Sequence, residues 1–239
     1  MENSKKPWEL RSDDTRIEDK LPTFIIFTED KVSERVYFKS FETNKVKVNV
    51  IGDQDSNITN VMNAIAHCNK EGLFDEKLQI WCVFDRDCED ALKKREKKDK
   101  KFEISLCIAK KFKIKVAWSN DCFELWVLLH FEDIDHTQPL LRDTYYQQLT
   151  KIMRTDAKVC NDFSESIKEK HFYYKKDFKK EDNFKEYILP ILQDETRRTT
   201  AIDRAEELEK YHATRNVVPQ EMCPCTMVHH LVKKLLQYQ

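Results

Sequence analysis

Residues 79–87 read Gln-Ile-Trp-Cys-Val-Phe-Asp-Arg-Asp, and this stretch indicates both the fold class and the position of a functional site. A mostly apolar run leads directly into two aspartates, Asp85 and Asp87. A short apolar run with polar residues at its end is typical of a strand buried on both faces, as in a parallel sheet. Because side chains alternate along a strand, we expect Asp85 and Asp87 to project on the same side. Paired carboxylates at a strand end favour a hard divalent cation such as Mg²⁺.

The composition excludes several classes of protein. Among 239 residues, 42 Lys and Arg stand against 43 Asp and Glu, so nucleic-acid binding would have to come from local patches. Gly52 and Gly72 are the only two glycines, which excludes the glycine-rich phosphate loops of the Walker and Rossmann types. Eight irregularly spaced cysteines, a polar N-terminus and the lack of a long apolar run predict reduced thiols, no membrane span and a cytoplasmic location.

Apolar periodicity predicts strands alternating with helices in the first half of the chain. The alternation predicts an α/β fold with a four-stranded parallel sheet, flanked by helices and joined by right-handed crossovers. The predicted strands are 23–28, 46–51, 79–87 and 114–119, and the predicted helices are 31–43, 55–70, 89–113 and 123–129.

The second half shows helical patterns and no convincing strand. The expected organisation is a polar arm over 1–20, an α/β domain over 21–132 and a mostly helical extension over 133–239. Within the extension, helices are predicted at 141–153, 161–175, 183–212 and 226–238.

Acids or amides follow three of the predicted strands. Glu29 follows the first strand, Asp85 and Asp87 end the third, and Asn120 and Glu124 follow the fourth. Because the carboxyl ends of parallel strands share one edge of a sheet, Glu29 and the aspartate pair are expected to converge. Such a site suits Mg²⁺ with open positions for water and phosphate, and therefore phosphoryl transfer. Asn120 also suits the N-cap of the following helix.

Three segments in this order resemble the RloB-like proteins, also called AbiLii-type abortive-infection proteins. They are Phe-Ile-Ile-Phe-Thr-Glu at 24–29 with Glu34 and Tyr-Phe at 37–38, Trp-Cys-Val-Phe-Asp-Arg-Asp at 81–87, and Ala-Trp-Ser-Asn-Asp-Cys-Phe-Glu-Leu-Trp at 117–126. Residues 225–232, Cys-Thr-Met-Val-His-His-Leu-Val, are similar to the C-terminal segment of the family. The resemblance covers nearly the whole chain after about residue 20, and it extends more broadly to the Toprim fold of topoisomerases, primases and old-family nucleases.

The resemblance implies a Toprim-like, Rossmann-like fold and a metal-dependent nuclease of anti-phage defence. Family members are usually paired with an ABC/old-like ATPase of the RloA or AbiLi type, and both RNA, including tRNA, and DNA are candidate substrates. Carried over by position, Glu29 would be the general acid/base. Together with Asp85, Asp87 and Glu124 it would also hold Mg²⁺ or Mn²⁺, and Asn120 would support the site.

The first acidic loop departs from the family pattern. The usual Thr-Glu-Gly-Glu reads Thr-Glu-Asp-Lys at residues 28–31, which removes the glycine's access to positive φ and places the second acid at Asp30. Asp30 and Glu34 are therefore candidate supporting residues. The altered loop also keeps a second hypothesis open, a sensor or scaffold subunit that binds the ATPase without catalysis. Nucleotidyl transfer, as in primases, is a third hypothesis.

Two lysine-rich stretches are candidate nucleic-acid contacts. Seven of the nine residues at 93–101 are Lys or Arg, which suits either phosphate contacts or a solvated helix face. Residues 171–180 mix aromatics with lysines, which suits either a single-strand binding surface or a helix with its aromatic side in the core. The candidate contacts are Lys93, Lys94, Arg95, Lys97, Lys98, Lys175 and Lys176.

A zinc site is the remaining possibility near the C-terminus. Cys223 and Cys225 precede His229 and His230, but their spacing matches no standard structural zinc site. Core thiols and a hydrogen-bonded histidine are the alternative. A homo-oligomer also remains open.

Overall fold

A five-stranded sheet forms the centre of the protein in the computed structural model, which describes residues 21–71, 78–87, 92–156 and 171–239. Its order is β2-β1-β3-β4-β5. The strands β1 (Thr23–Thr28), β2 (Lys47–Ile51), β3 (Leu78–Asp85) and β4 (Lys115–Asn120) are parallel, and β5 (Cys225–Thr226) is antiparallel to β4. The predicted α/β fold and its four parallel strands are confirmed. The expectation of no strand in the second half is wrong, because a two-residue strand has no detectable periodicity.

Helices cover the sheet and make up most of the C-terminal part. None of the helices within the described ranges is long and apolar enough to cross a membrane. The predicted arm over residues 1–20 and most of the predicted helix over 161–175 lie outside the described residues. The helices are α1 (Ser33–Lys39), α2 (Asn57–Glu71), α3 (Leu92–Lys111), α4 (Glu124–Leu129), α5 (Arg142–Met153), α6 (Tyr174–Asp177), α7 (Glu181–Asn183), α8 (Leu189–Gln193), α9 (Glu195–Thr214) and α10 (Val228–Leu236).

The helix predicted over 183–212 is broken in the structure. A π-helical turn, Phe184–Ile188, connects α7 to α8, where Pro190 lacks the N–H of a regular helical turn. A new helix, α9, then begins after Asp194, whose Oδ1 accepts a hydrogen bond from the Arg197 N–H at 3.1 Å. Asp194 is thus the N-cap that separates α8 from α9.

The sheet separates two apolar cores. Along β1, Phe24 and Ile26 face a core built with α1, α4, α5 and the C-terminal helices, whereas Ile25 and Phe27 face a core built with α2 and α3. Both faces of the central strands are therefore buried, which explains their nearly continuous apolar sequence. β5 contributes Cys225 to the second core, so the C-terminal half completes the sheet edge beside β4.

The largely polar helix α3 depends on Phe102 for its packing. The fully buried Phe102 ring makes edge-to-face contacts with Phe84 and Trp118, at centroid distances of 5.9 and 5.6 Å. We predict that Phe102→Ala lowers the free energy of unfolding by about 3–5 kcal/mol, because it removes these contacts and leaves a cavity.

Phe112→Ala is the matched control, because Phe112 lies just beyond the same helix and is 46% exposed. It should change stability by less than about 0.5 kcal/mol. Urea unfolding followed by circular dichroism measures both variants, and equal losses would contradict this account of how α3 packs.

Candidate active site

The carboxyl ends of β1 and β3 meet as the sequence predicts. Glu29 follows β1 directly, and its Oε2 accepts a hydrogen bond from the Asp85 N–H at 3.2 Å. Asp85 is the last residue of β3. The predicted convergence of Glu29 with the aspartate pair is therefore present in the structure.

Asp87 reaches the site by a different route from the one predicted. It lies beyond the end of β3 in the left-handed conformation, with φ 58°, which aspartate tolerates better than most residues. Its N–H donates to the Asp121 carbonyl at 3.2 Å. Strand alternation thus does not explain why Asp85 and Asp87 share a site, and that part of the prediction is wrong. The two carboxylates instead meet at one guanidinium group.

This guanidinium belongs to Arg142, the first residue of α5. Its Nη2 lies 3.5 Å from Asp85 Oδ2 and donates to Asp87 Oδ1. Its backbone N–H donates to Oδ2 of the buried Asp121 at 2.9 Å, which fixes the start of α5 against the end of β4. Lys98 from α3 adds a second cation, with its Nζ donating to Asp87 Oδ2 at 3.1 Å.

Lys179 contacts two further acids at this edge of the sheet. The acidic cluster consists of Glu29, Asp30, Asp85, Asp87 and Glu124. Its Nζ lies 2.9 Å from Oε1 of the buried Glu124 and 3.0 Å from Asp30 Oδ2. The same ammonium lies over the Tyr146 ring, 5.7 Å from the centroid, in a cation–π arrangement. Lys179 therefore links α4 and the loop after β1 to the helical part of the chain.

The glycine-free loop is stabilised by its own acidic side chains. Asp30 Oδ1 accepts hydrogen bonds from the N–H groups of Val32 and Ser33, at 2.5 and 3.1 Å, just before and at the start of α1. The Asp30 N–H donates to Oε2 of the buried Glu34 at 3.1 Å. Asp30 is not among the described residues with positive φ. At Asp30 the loop therefore does not adopt the positive φ that a glycine would allow.

Burial and mutual repulsion raise the pKa values of several of these acids. Burial raises the pKa of Glu29 to about 8 and outweighs the hydrogen bond from the Asp85 N–H, which lowers it, while the Asp87 charge adds a smaller increase. The pKa of Glu34 lies well above its ordinary value because of burial and the neighbouring Asp85 and Asp30. Burial, together with the Glu29 and Glu124 charges, also raises the pKa of Asp85 although Arg142 opposes it.

The cations show the complementary effect. Burial alone would lower the pKa of Arg142 and Lys179, but the neighbouring carboxylates outweigh burial and raise both. Within the described residues, buried Asp85 Oδ1 and Glu124 Oε2 accept no hydrogen bond. Unpaired buried carboxylate oxygens are costly, and hard divalent cations bind such oxygens. The donor set therefore fits Mg²⁺ or Mn²⁺.

Other predicted site residues have structural contacts. Asn120 is fully buried at the end of β4 and donates from Nδ2 to the Met222 carbonyl at 2.8 Å. It does not cap α4, which begins at Glu124. Asn120 thus connects the site to the segment before β5.

Sequence reasoning missed three charged groups of the cluster: Arg142, Lys179 and Asp121. Of these, Asp121 could have been found from the sequence, because it directly follows the predicted site residue Asn120. Arg142 and Lys179 belong to the helical half, far along the chain from the acids they contact.

The basic stretch of α3 is largely a solvent-facing surface. Lys94, Arg95 and Lys97 are exposed, whereas Lys98 turns to Asp87. Lys93 is the second residue of the helix. Exposed cations thus continue away from the acidic cluster along α3.

The aromatic residues at 171–180 are mainly core residues. Phe172, Tyr174 and Phe178 are buried and cannot stack on bases, so the structure favours the second alternative, an aromatic side packed in the core. Lys175 and Lys176 are exposed, and Lys175 Nζ lies 5.1 Å from the Tyr146 ring centroid.

The residues of the possible zinc site separate into two groups. Cys225 is buried in the core, and Cys223 Sγ faces the Asn120 and Leu140 carbonyls at 3.9 and 3.6 Å. His229 and His230 instead face Glu209. The structure thus does not bring the two cysteines and the histidines together as one ligand set.

A mostly parallel α/β sheet with buried carboxylates at its carboxyl edge defines the class of protein: an α/β protein with a candidate cation-dependent site. The family model of the RloB-like proteins matches residues 24–235. The chain therefore belongs to the RloB-like family. No curated protein and no solved structure shows a significant match.

The raised pKa of Glu29 predicts how stability depends on pH without metal. Between the ordinary value of 4.5 and about 8, the folded state keeps a proton that the unfolded chain has released. The free energy of unfolding therefore falls as pH rises through this window. With a chelator present, the melting temperature should be several degrees lower at about pH 8 than at about pH 5.

Glu29→Gln should reduce this slope, because it removes one of the coupled acids. Glu207→Gln is the control, since Glu207 is exposed on α9 and lies outside the cluster. An unchanged slope in Glu29→Gln would contradict the assignment of the raised pKa to Glu29.

Proposed function

We propose that this chain is a Toprim-type, metal-dependent nuclease that cleaves phosphodiester bonds in RNA, tRNA included, or in DNA. The observation that carries the proposal is the gathering of Glu29, Asp85, Asp87 and Glu124 at the carboxyl edge of a parallel sheet. Ligands of open α/β sheets bind at this edge. Carboxylates there suit a metal that offsets phosphate charge and positions the attacking group.

The side chains fall into distinct roles under this proposal. Asp85, Asp87 and Glu124 would hold Mg²⁺ or Mn²⁺, with Glu29 beside them. The pKa of Glu29, about 8, is close to neutrality, so this carboxyl is suited both to release and to accept a proton at working pH. Arg142 carries a fork of N–H donors at the same place, which matches the geometry of a phosphate group.

The basic face of α3 supports a nucleic-acid substrate. Exposed Lys94, Arg95 and Lys97 lie on the helix whose Lys98 contacts Asp87. A backbone bound along this face would be directed towards the acidic cluster. Binding through such contacts weakens steeply with salt.

Membership of the RloB-like family supports a role in anti-phage defence. Cleavage of cellular nucleic acid must then be held back until infection, and an ABC/old-like ATPase of the RloA or AbiLi type is the proposed controlling partner. Co-purification of the chain with an ATPase of this type tests the pairing.

One observation favours a second function, a scaffold or sensor subunit without catalysis. Arg142 and Lys179 already neutralise part of the acidic cluster, as cations would in a site that no longer binds metal. Calorimetry with Mn²⁺ separates the two functions. Binding that Asp85→Asn removes supports the nuclease, whereas no binding at millimolar Mn²⁺ supports the scaffold.

Asp85→Asn and Glu29→Gln are each expected to reduce metal-dependent cleavage by at least about 100-fold, because they remove a metal ligand and the acid/base group. Cleavage is measured on labelled RNA and DNA in the presence of the activating partner. Asp182→Asn is the control, because Asp182 is exposed and outside the cluster. Wild-type rates in both variants, with unchanged circular dichroism, would sink the active-site assignment.

A further inference from the structure

A second group of metal-binding side chains lies away from the acidic cluster. Glu209 of α9 and His229 and His230 of α10 present ligand atoms that all lie within 4.8 Å of one another. Both histidine Nε2 atoms are 2.9 Å from the same atom, Glu209 Oε2. Consecutive residues of a helix ordinarily point in different directions, yet these two rings lie 4.1 Å apart and converge on one carboxylate.

The hydrogen-bond partners of His229 define which of its ring nitrogens can bind a metal. The ring is fully buried, and its Nδ1 lies 3.0 Å from the Thr226 carbonyl oxygen. A carbonyl only accepts, so Nδ1 carries the proton in this contact. Nε2 is therefore the ring nitrogen that can coordinate a cation, and it lies 2.9 Å from Glu209 Oε2.

Zn²⁺ is the cation that this ligand chemistry fits best. Two imidazole nitrogens and one carboxylate oxygen form a zinc ligand set in which the fourth position stays open to water. The Nδ1 contact with the Thr226 carbonyl is the orienting hydrogen bond that zinc-bound histidines make. Ligand atoms of tetrahedral zinc lie about 3.3 Å apart, compared with 2.9 Å for each nitrogen–oxygen pair here and at most 4.8 Å for any pair of ligand atoms.

Access from solvent is provided on one side of the cluster. The side chains of Glu209 and His230 are 32% and 48% exposed, whereas His229 is closed off at the back. A metal would thus enter from the surface and bind one buried and two partly exposed ligands. The neighbouring acid Glu206 pairs with Lys233 instead and is not part of the cluster.

We propose that Glu209, His229 and His230 form a zinc-binding site that joins α9 to α10 behind β5. The site differs from the cysteine-containing set considered from the sequence, because Glu209 takes the place of the thiols. Thr226, which orients His229, also bonds through its hydroxyl to Ser119 of β4 at 2.8 Å. Zinc here would therefore hold the antiparallel edge strand against the parallel sheet.

Calorimetric titration of the untagged, chelator-stripped full chain with Zn²⁺ tests the site. All variants carry Asp85→Asn, so that the acidic cluster contributes little to binding. Glu209→Gln and His230→Gln should each weaken Zn²⁺ binding at least about 10-fold. Both side chains are partly exposed, so both variants are expected to fold, and circular dichroism verifies this. Glu207→Gln is the control on the same helix, because Glu207 is exposed, and it should bind as the Asp85→Asn parent does.

Absorption of the Co²⁺-substituted protein identifies the ligands independently of any activity. Tetrahedral nitrogen and oxygen ligation without thiolate charge-transfer bands is expected. The proposal is overturned if the parent binds no Zn²⁺ at millimolar concentration, as an imidazolium–carboxylate pair would predict. It is also overturned if both variants bind as the parent does, or if thiolate bands show that cysteines are the ligands.

Discussion

Charge compensation at the carboxyl edge of the sheet is the constraint on which the site depends. Glu29 directly follows β1 and Asp85 ends the adjacent strand β3, so the parallel topology itself brings their carboxylates together. Burial disfavours the charged form of each acid and is the main reason that the pKa values of Glu29 and Asp85 are raised, and the charges of neighbouring carboxylates add to it. Arg142 and Lys179 provide the opposite charge. Because both come from the helical half, the arrangement of the acidic edge requires that half to be folded against the sheet.

The strands and their acidic ends were predictable because they rest on local patterns. An apolar run that ends at Glu29 or Asp85 spans only a few residues, and it predicts both a buried parallel strand and the polar residue at the end of that strand. Arg142 and Lys179 were not predictable in this way, because nothing near them in sequence indicates an acidic partner. The left-handed Asp87 also escaped prediction, since period-2 alternation ends where the strand ends. β5 was missed because two residues form no pattern.

The loop after β1 shows how one substitution is accommodated by neighbouring chemistry. Asp30 lies where the resemblance noted from the sequence implies a glycine, and its carboxylate accepts hydrogen bonds from the N–H groups around the start of α1. Its own N–H is satisfied by Glu34. The loop exchanges the conformational freedom of glycine for a set of fixed hydrogen bonds. It also adds a carboxylate that Lys179 balances, so the departure from the family pattern and the position of Lys179 are linked.

The same cations affect the binding of a divalent metal at the proposed site. Arg142 contacts both Asp85 and Asp87, so a metal bound there competes with the guanidinium for the same oxygens. Once the carboxylates release it, the guanidinium of Arg142 is well placed to bind a phosphate, because a phosphate, like a carboxylate, is an anion that accepts two parallel hydrogen bonds from arginine. Metal and substrate would then bind cooperatively, because each provides a partner for a group that the other displaces. Under the proposed function, an arrangement of this kind would hold the metal-free site in a neutralised resting state until metal and substrate bind.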